Sequence, residues 1–345
     1  MRVLLTGHQG YLGTVMAPVL AATGHEVTGL DSGLFADCVL GAMPDDPPGI
    51  PIDLREVTLA HLAGYDAVVH LAALSNDPLG SLDPELTYDI NHRASVRLAR
   101  LARDAGVRRF LYASTCSVYG ASGSGDLLNE DAPLRPVTPY AESKVRVEDD
   151  LHALADDDFS PVYLRNATAF GFSPRLRTDI VLNNLVAYAL LTGTVLVLSD
   201  GTPWRPLVHA ADIAAAFTAA LTAPREVVHD RAFNVGTEAN NLTVAEIADF
   251  VVAAVPGARL RITGENGADP RSYRVDFSRL RAALPDFRAR WTVAAGAVEL
   301  AEAYQRFGLN RHSFERRFTR LAWLSDRAAA GAIDVRLRPR QAVAS

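Results

Sequence analysis

Val3-Leu4-Leu5-Thr6-Gly7-His8-Gln9-Gly10-Tyr11-Leu12-Gly13 opens the chain, and its reading decides the fold. The first four residues form a short apolar run of the kind that makes a buried parallel strand. The glycines then fall at G-x-x-G-x-x-G spacing, before a helix predicted over Tyr11 to Ala22 and stopped near Gly24. Gly7 permits the tight turn, Gly10 lets the backbone approach a pyrophosphate, and Gly13 allows the helix to pack closely on the strand. The helix N-terminus offers free N–H groups and partial positive charge to a phosphate. A second strand, Glu26 to Leu30, ends in Asp31. An acidic side chain at that point hydrogen-bonds an adenosine ribose and repels a 2′-phosphate, which favours NAD over NADP.

A second signal lies downstream. A strand predicted over Arg108 to Ala113 delivers Ser114-Thr115-Cys116-Ser117-Val118-Tyr119-Gly120, and Tyr140-Ala141-Glu142-Ser143-Lys144 opens a helix that runs to about Ala155. Residues four apart on a helix share a face, so Tyr140 and Lys144 point to one place. A lysine ammonium beside a phenol stabilises the phenolate and lowers its pKa from about 10. Each unit takes about 1.4 kcal/mol, so reaching neutrality needs roughly 4 kcal/mol. Lys144 plus a cationic nicotinamide ring can supply that in a partly dry cleft. Thr115 adds a hydroxyl for the same substrate oxygen. Thr115, Tyr140 and Lys144 are therefore candidates for general acid/base work on a sugar or alcohol hydroxyl. Tyr-x-x-x-Lys alone is a frequent helical coincidence; the glycine fingerprint upstream is what gives it weight.

The chain has 345 residues, 49% of them hydrophobic, and a formal net charge of -6. That length suggests two domains with ample apolar surface. No basic run dominates, which argues against nucleic acid or an anionic membrane as a partner. Cys38 and Cys116 are the only cysteines; they form no metal spacing and no disulfide framework, as suits a reducing cytoplasm. Gly7 and Gly10 interrupt the apolar start, so it reads as neither a signal peptide nor a membrane span. A soluble cytoplasmic protein without a metal site is expected.

The two signals together resemble the extended short-chain dehydrogenase/reductase family, in its nucleotide-sugar epimerase/dehydratase branch, over about residues 1 to 308. The resemblance implies an α/β fold: a Rossmann-type doubly wound parallel sheet with a smaller C-terminal α/β substrate-binding lobe. Residues 1–165 form the NAD-binding domain and 166–308 mainly the substrate lobe, with late strands near 207–235 returning to the first domain. The glycine stretch (Gly7, Gly10, Tyr11, Leu12, Gly13) and Asp31 then bind the cofactor. Asp53 and Leu54 match an Asp-Leu pair at the adenine. Leu71, Ala72 and Ala73, after Val68-Val69-His70, match backbone lying under the dinucleotide, while His70 reads as a packed strand-end residue. Asn91, inside a helix predicted over Pro84 to Ala105, matches an asparagine that supports the site. Ser114, Tyr140 and Lys144 complete the cofactor set.

For the substrate, the resemblance implies Ser75, Thr115, Thr168, Asn184, Arg205 and Arg271. Two arginines suit a diphosphate because guanidinium forks bind oxygens in pairs. Leu196 to Ser199 and Trp204 to His209 match a second-domain hairpin, and His209 with Asp212 are expected to cap the next helix. Relatives that dehydrate a sugar carry Asp-Glu at the two places before Val118-Tyr119-Gly120, and decarboxylating ones keep a glutamate at the second. Here those places hold Cys116 and Ser117, neither an acid at neutral pH.

What the resemblance then implies is an NAD-dependent nucleotide-sugar epimerase acting at C4 through a transient 4-keto sugar. A 4-ketoreductase of nucleotide-4-keto-6-deoxysugars, using the same residues, is the alternative. A dinucleotide-sensing protein without catalysis is a third reading, which has no need of the three catalytic side chains together. The resemblance also implies a homodimer formed through helices near residues 91–105 and 140–155. Beyond Leu309 it ends. Arg311 to Arg340 is arginine-rich, with Phe314, Phe318 and Leu321 at helical spacing, so this extension is expected to pack on its own body or on a second subunit.

Overall fold

A computed structural model describes residues 1–75, 83–120, 127–265 and 272–340. Its centre is a seven-stranded parallel sheet in the order Arg231–Val235, Ser160–Asn166, Arg109–Thr115, Ala67–His70, Arg2–Thr6, Glu26–Asp31, Gly49–Pro51. The strand order reverses between Arg2–Thr6 and Ala67–His70, and ligands of such sheets bind outside the carboxyl ends at that reversal. The expected α/β Rossmann-type sheet is present.

Alternate side chains of each strand go to opposite faces. Val3, Leu5, Val69, Leu111 and Leu164 pack on one side with helices Tyr11–Ala22 and Ala210–Thr222. Leu4, Val68, Phe110, Tyr112 and Tyr163 pack on the other with helices Ala94–Asp104 and Pro139–Leu154. Strands buried on both faces explain why they read as continuous apolar runs rather than alternating ones. A third core, around Leu182, Val186, Val195, Leu207, Ile247 and Leu300, builds the second lobe.

Strand Arg231–Val235 returns to the main sheet, whereas Trp204–His209 stays in the second lobe between Thr168–Phe170 and Asn241–Thr243. The expected hairpin is absent: Thr194–Val197 pairs instead with Arg259–Ile262. The intervening Asp200 ties the turn locally, accepting from Thr202 N at 3.0 Å, and the two strands then diverge into different sheets. His209 caps the following helix through Nδ1, which accepts from Ala211 N at 3.1 Å. Asp212 does not. Its two oxygens accept from Arg290 N and Trp291 N, both at 3.0 Å, and so pin a distant segment to the helix.

The lobes are stitched together at the glycine loop. Tyr11 Oη donates to Gly171 O at 2.7 Å, Ser173 Oγ donates to Tyr11 O at 2.8 Å, and Arg175 Nη1 donates to Thr14 Oγ1 at 3.1 Å. The C-terminal extension packs on its own chain. Phe314 and Phe318 enter the second-lobe core, and helix Arg320–Ala329 then lies on the loop after Asp31, where Trp323 Nε1 donates to Leu34 O at 3.0 Å. Leu324, rather than Leu321, is the buried leucine of that helix. No helix among the described residues is long and apolar enough to cross a membrane.

Candidate active site

A cleft of about 880 Å³ runs along the carboxyl ends of the strands and on into the second lobe. Gly7, Gly10, Tyr11, Leu12, Gly13, Asp31, Asp53, Leu54, Leu71, Ala72 and Ala73 line one end. Ser114, Thr115, Tyr140 and Lys144 line the middle, and Ser75, Thr168, Asn184 and Arg205 the lobe side. Asn91 lies behind this wall. It is buried in a wide helical turn, Tyr88–Arg93, with its carboxamide closed on the Leu74 backbone: Oδ1 accepts from Leu74 N at 2.7 Å and Nδ2 donates to Leu74 O at 3.0 Å. Arg271 lies outside the described residues.

The middle of the cleft is set by one strand end and one helix start. Thr138 caps helix Pro139–Leu154, accepting from Ala141 N at 3.2 Å, and Pro139 is preorganised for the first helical position. Tyr140 therefore sits in the first turn. One turn on, Lys144 is buried, its Nζ 5.7 Å from the centre of the Tyr140 ring and 4.7 Å from that of Tyr112. Nζ donates to Ala113 O at 2.7 Å. Burial pulls the Lys144 pKa down to about 7, against the opposing charge of Glu148. Thr115 Oγ1 accepts from Ser117 N at 3.1 Å and donates to Ser117 Oγ at 3.2 Å, which turns the chain away from the strand.

The two positions that would carry acids in a dehydratase carry none. Cys116 is buried, with Sγ donating to Arg165 O at 3.1 Å, and burial pushes its thiol far above neutral pH. Ser117 lines the cleft as a hydroxyl. His70 is also removed from acid/base work. Thr6 Oγ1 and Ser95 Oγ lie 2.6 and 2.7 Å from its two ring nitrogens, and burial lowers its pKa to about 3.

The glycine end fits a dinucleotide. Helix Tyr11–Ala22 starts at Gly10 with no side-chain cap, so the N–H groups of its first turn point at the cleft, a site for an anion. A Cβ on Gly7 would come within 2.8 Å of Ala72 N, and one on Gly13 within 2.2 Å of Gly7 O, so only glycine permits this close wall. Asp31 accepts from Gln9 N at 3.0 Å and Gly33 N at 2.9 Å, one on each oxygen, leaving a lone pair on each for ribose hydroxyls. Asp53 is half-buried, which acts to raise its pKa, but hydrogen bonds and charge from Arg55 outweigh this and hold it low.

Two cleft arginines escape a reading of the sequence. Arg177 pairs with Asp179 at 2.9 Å, donates to Ser75 Oγ at 3.0 Å, and lies close enough to Tyr140 for their charges to interact. Arg320 arrives from the C-terminal extension. In sequence each is an arginine in a polar context, which reads as a solvated surface charge.

The model for the NAD-dependent epimerase/dehydratase family matches residues 3–236 of the chain. A UDP-glucose 4-epimerase of Mycolicibacterium smegmatis is 29% identical over 317 residues, 88% of this chain and 99% of that one. The UDP-glucose 4-epimerase of Thermus thermophilus in complex with NAD superposes with a TM-score of 0.74 at 26% identity, covering 88% of this chain and 99% of that chain. TunA, an NAD-dependent NDP-hexosamine 5,6-dehydratase, superposes with a TM-score of 0.78, covering 88% and 98%; at 24% identity it shows the shared fold alone.

Proposed function

The chain belongs to the NAD-dependent epimerase/dehydratase family, and from that premise we propose that it is a nucleotide-sugar epimerase that inverts C4 of its sugar. The observation that carries this reading is the chemistry at positions 116 and 117. A buried thiol and a hydroxyl stand where eliminating a sugar's water needs carboxylic acids, while Thr115, Tyr140 and Lys144 share the cleft.

NAD, when bound, supplies the acceptor and then the returning donor of a hydride. The chain's own residues handle the oxygen. Tyr140, as the phenolate, takes the proton of the C4 hydroxyl and, as the phenol, returns it after the sugar has turned. Thr115 holds the same oxygen by a hydrogen bond. Lys144 is anchored through Ala113 O, and burial weakens its hold on its proton, so an ammonium there and a phenolate at Tyr140 stabilise each other. Arg205 and Asn184, on the lobe wall, hold the nucleotide diphosphate, with Arg271 completing the set. Helices Ala94–Asp104 and Pro139–Leu154 form the dimer contact in the same reading, which light scattering tests directly.

The deciding experiment has two steps. The purified protein is denatured and its released dinucleotide identified; near-stoichiometric NAD is the expected result. The intact protein is then incubated with UDP-, dTDP-, CDP- and GDP-sugars in D2O without added cofactor. Interconversion of C4 epimers with no deuterium at C4 supports the proposal. Turnover only of a 4-keto sugar with added reduced cofactor assigns the ketoreductase reaction instead, and loss of water from the sugar overturns both.

A further inference from the structure

One leucine of the cleft wall comes from far outside the glycine loop and its strands. Leu337 lines the cleft, yet it belongs to the C-terminal extension, well past residues 3–236 that carry the family match. Its backbone is left-handed, at φ 59°. That conformation suits glycine or asparagine and is costly for leucine. An apolar residue held in this way at the edge of a cleft points to a task for its side chain.

The tail is built to hold Leu337 there. Ile333 is buried and bridges Pro339, while Asp334 N donates to Arg338 O at 2.9 Å and Leu337 N donates to Asp334 O at 3.0 Å, which closes a tight loop. The Asp334 carboxylate braces the loop, Oδ1 accepting from Arg336 N at 2.8 Å and from Arg338 N at 2.9 Å. Two contacts then seat it on the first domain, just beyond the edge strand Gly49–Pro51. Arg55 Nη2 donates to Arg336 O at 2.9 Å, and Arg338 pairs with Glu56. Arg55 also grips the Asp53 carboxylate, so the tail and the cleft wall share one guanidinium.

The place of this loop names the part of the ligand it meets. A dinucleotide puts its phosphates at the glycine loop and its adenosine ribose at Asp31. The group that follows, outward toward strand Gly49–Pro51, is the adenine. Ile52, Leu54, Ile90 and Leu337 line the cleft there, and apolar walls of this kind suit the flat faces of a purine. We propose that Leu337 closes the adenine end of the site, packing against the ring and slowing the release of NAD. The inference rests on NAD being the cofactor and is independent of which sugar reaction follows.

The test follows release of radiolabelled NAD+ from the full-length, loaded protein during a chase with excess unlabelled NAD+. Leu337→Gly removes the side chain and relieves the backbone, so it keeps the loop. It is expected to release NAD+ at least about five-fold faster than the wild type. Calorimetry on nucleotide-stripped protein locates the contact: AMP is expected to bind Leu337→Gly at least about five-fold more weakly, with UDP unchanged. Equal release rates or an unchanged AMP affinity overturn the proposal. An equal loss of AMP and UDP affinity also overturns it, because it reports a general loosening of the cleft. Should Leu337→Gly fail to fold, Leu337→Asn, which a left-handed backbone also accepts, is read in the same way: faster release supports the contact and an unchanged rate overturns it. Neither readout involves turnover, so an error in the proposed reaction leaves the result interpretable.

Discussion

Glu148 Oε2 accepts from Arg165 Nη2 at 2.6 Å, a buried ion pair that ties the helix of Tyr140 and Lys144 to strand Ser160–Asn166. Arg165 Nε reaches both carboxylate oxygens at 3.1 Å, Ser114 Oγ donates to Oε1, and Arg165 Nη1 donates to Glu130 O at 3.0 Å. Removing one partner of such a pair strands the other charge in a dry site. Glu148→Ala is expected to lower unfolding stability by about 3–5 kcal/mol, as read by urea denaturation at pH 7. A change below about 1 kcal/mol would mean that solvent reaches the pair.

Lys144 couples stability to pH with a definite sign. Its folded pKa, about 7, lies below the ordinary 10.5, so between those values the unfolded chain binds more protons and stability falls as pH is lowered. In Lys144→Met that component is absent. The melting temperature of the nucleotide-stripped variant should gain on that of the wild type as pH falls from about 10 to about 7 and hold its lead below. Parallel pH profiles for the two proteins would refute the shift.

Tyr140→Phe keeps the ring that lines the cleft and removes the acid/base group. The expected loss in kcat is about 10²- to 10⁴-fold, with the NAD content of the purified protein unchanged. A variant that retains full turnover removes Tyr140 from the chemistry.

Neither cysteine should react in the folded protein. Burial pushes the Cys38 thiol up to about 11, and Cys116 is pushed further. Thiolate is the reactive form, so Ellman's reagent should label neither residue at pH 8 until denaturant is added, when both become available. Rapid labelling of one thiol in native buffer would contradict its burial.

The parts of this molecule that are legible in sequence are those coded locally. Helix Tyr11–Ala22 follows from a glycine fingerprint at one end and Gly24 beyond the other, and the Tyr140–Lys144 face follows from helical spacing. What escapes is long-range. Nothing near Asp212 announces that its carboxylate holds Arg290 and Trp291 rather than its own helix. Thr194–Val197 and Trp204–His209 look like hairpin partners across a turn, yet each finds a better-placed neighbour elsewhere. Arg320 is the extreme case, since the ring it lies over, Phe35, belongs to a loop of the first domain. Local spacing carries no trace of that meeting.

The return of strand Arg231–Val235 and helix Ala210–Thr222 to the first sheet has a consequence for how the protein is made. When residue 166 leaves the ribosome, six strands of the sheet exist, but the face carrying Val3, Leu111 and Leu164 lacks its second covering helix. Translation at about 5–20 residues per second must then deliver the first segments of the second lobe, through strand Trp204–His209, before that helix and the edge strand arrive. For several seconds the nascent chain exposes an apolar sheet face and an open strand edge, the features chaperones bind and aggregation exploits. The interleaving that builds one cleft from two lobes thus leaves, during synthesis, surfaces open that the finished chain covers.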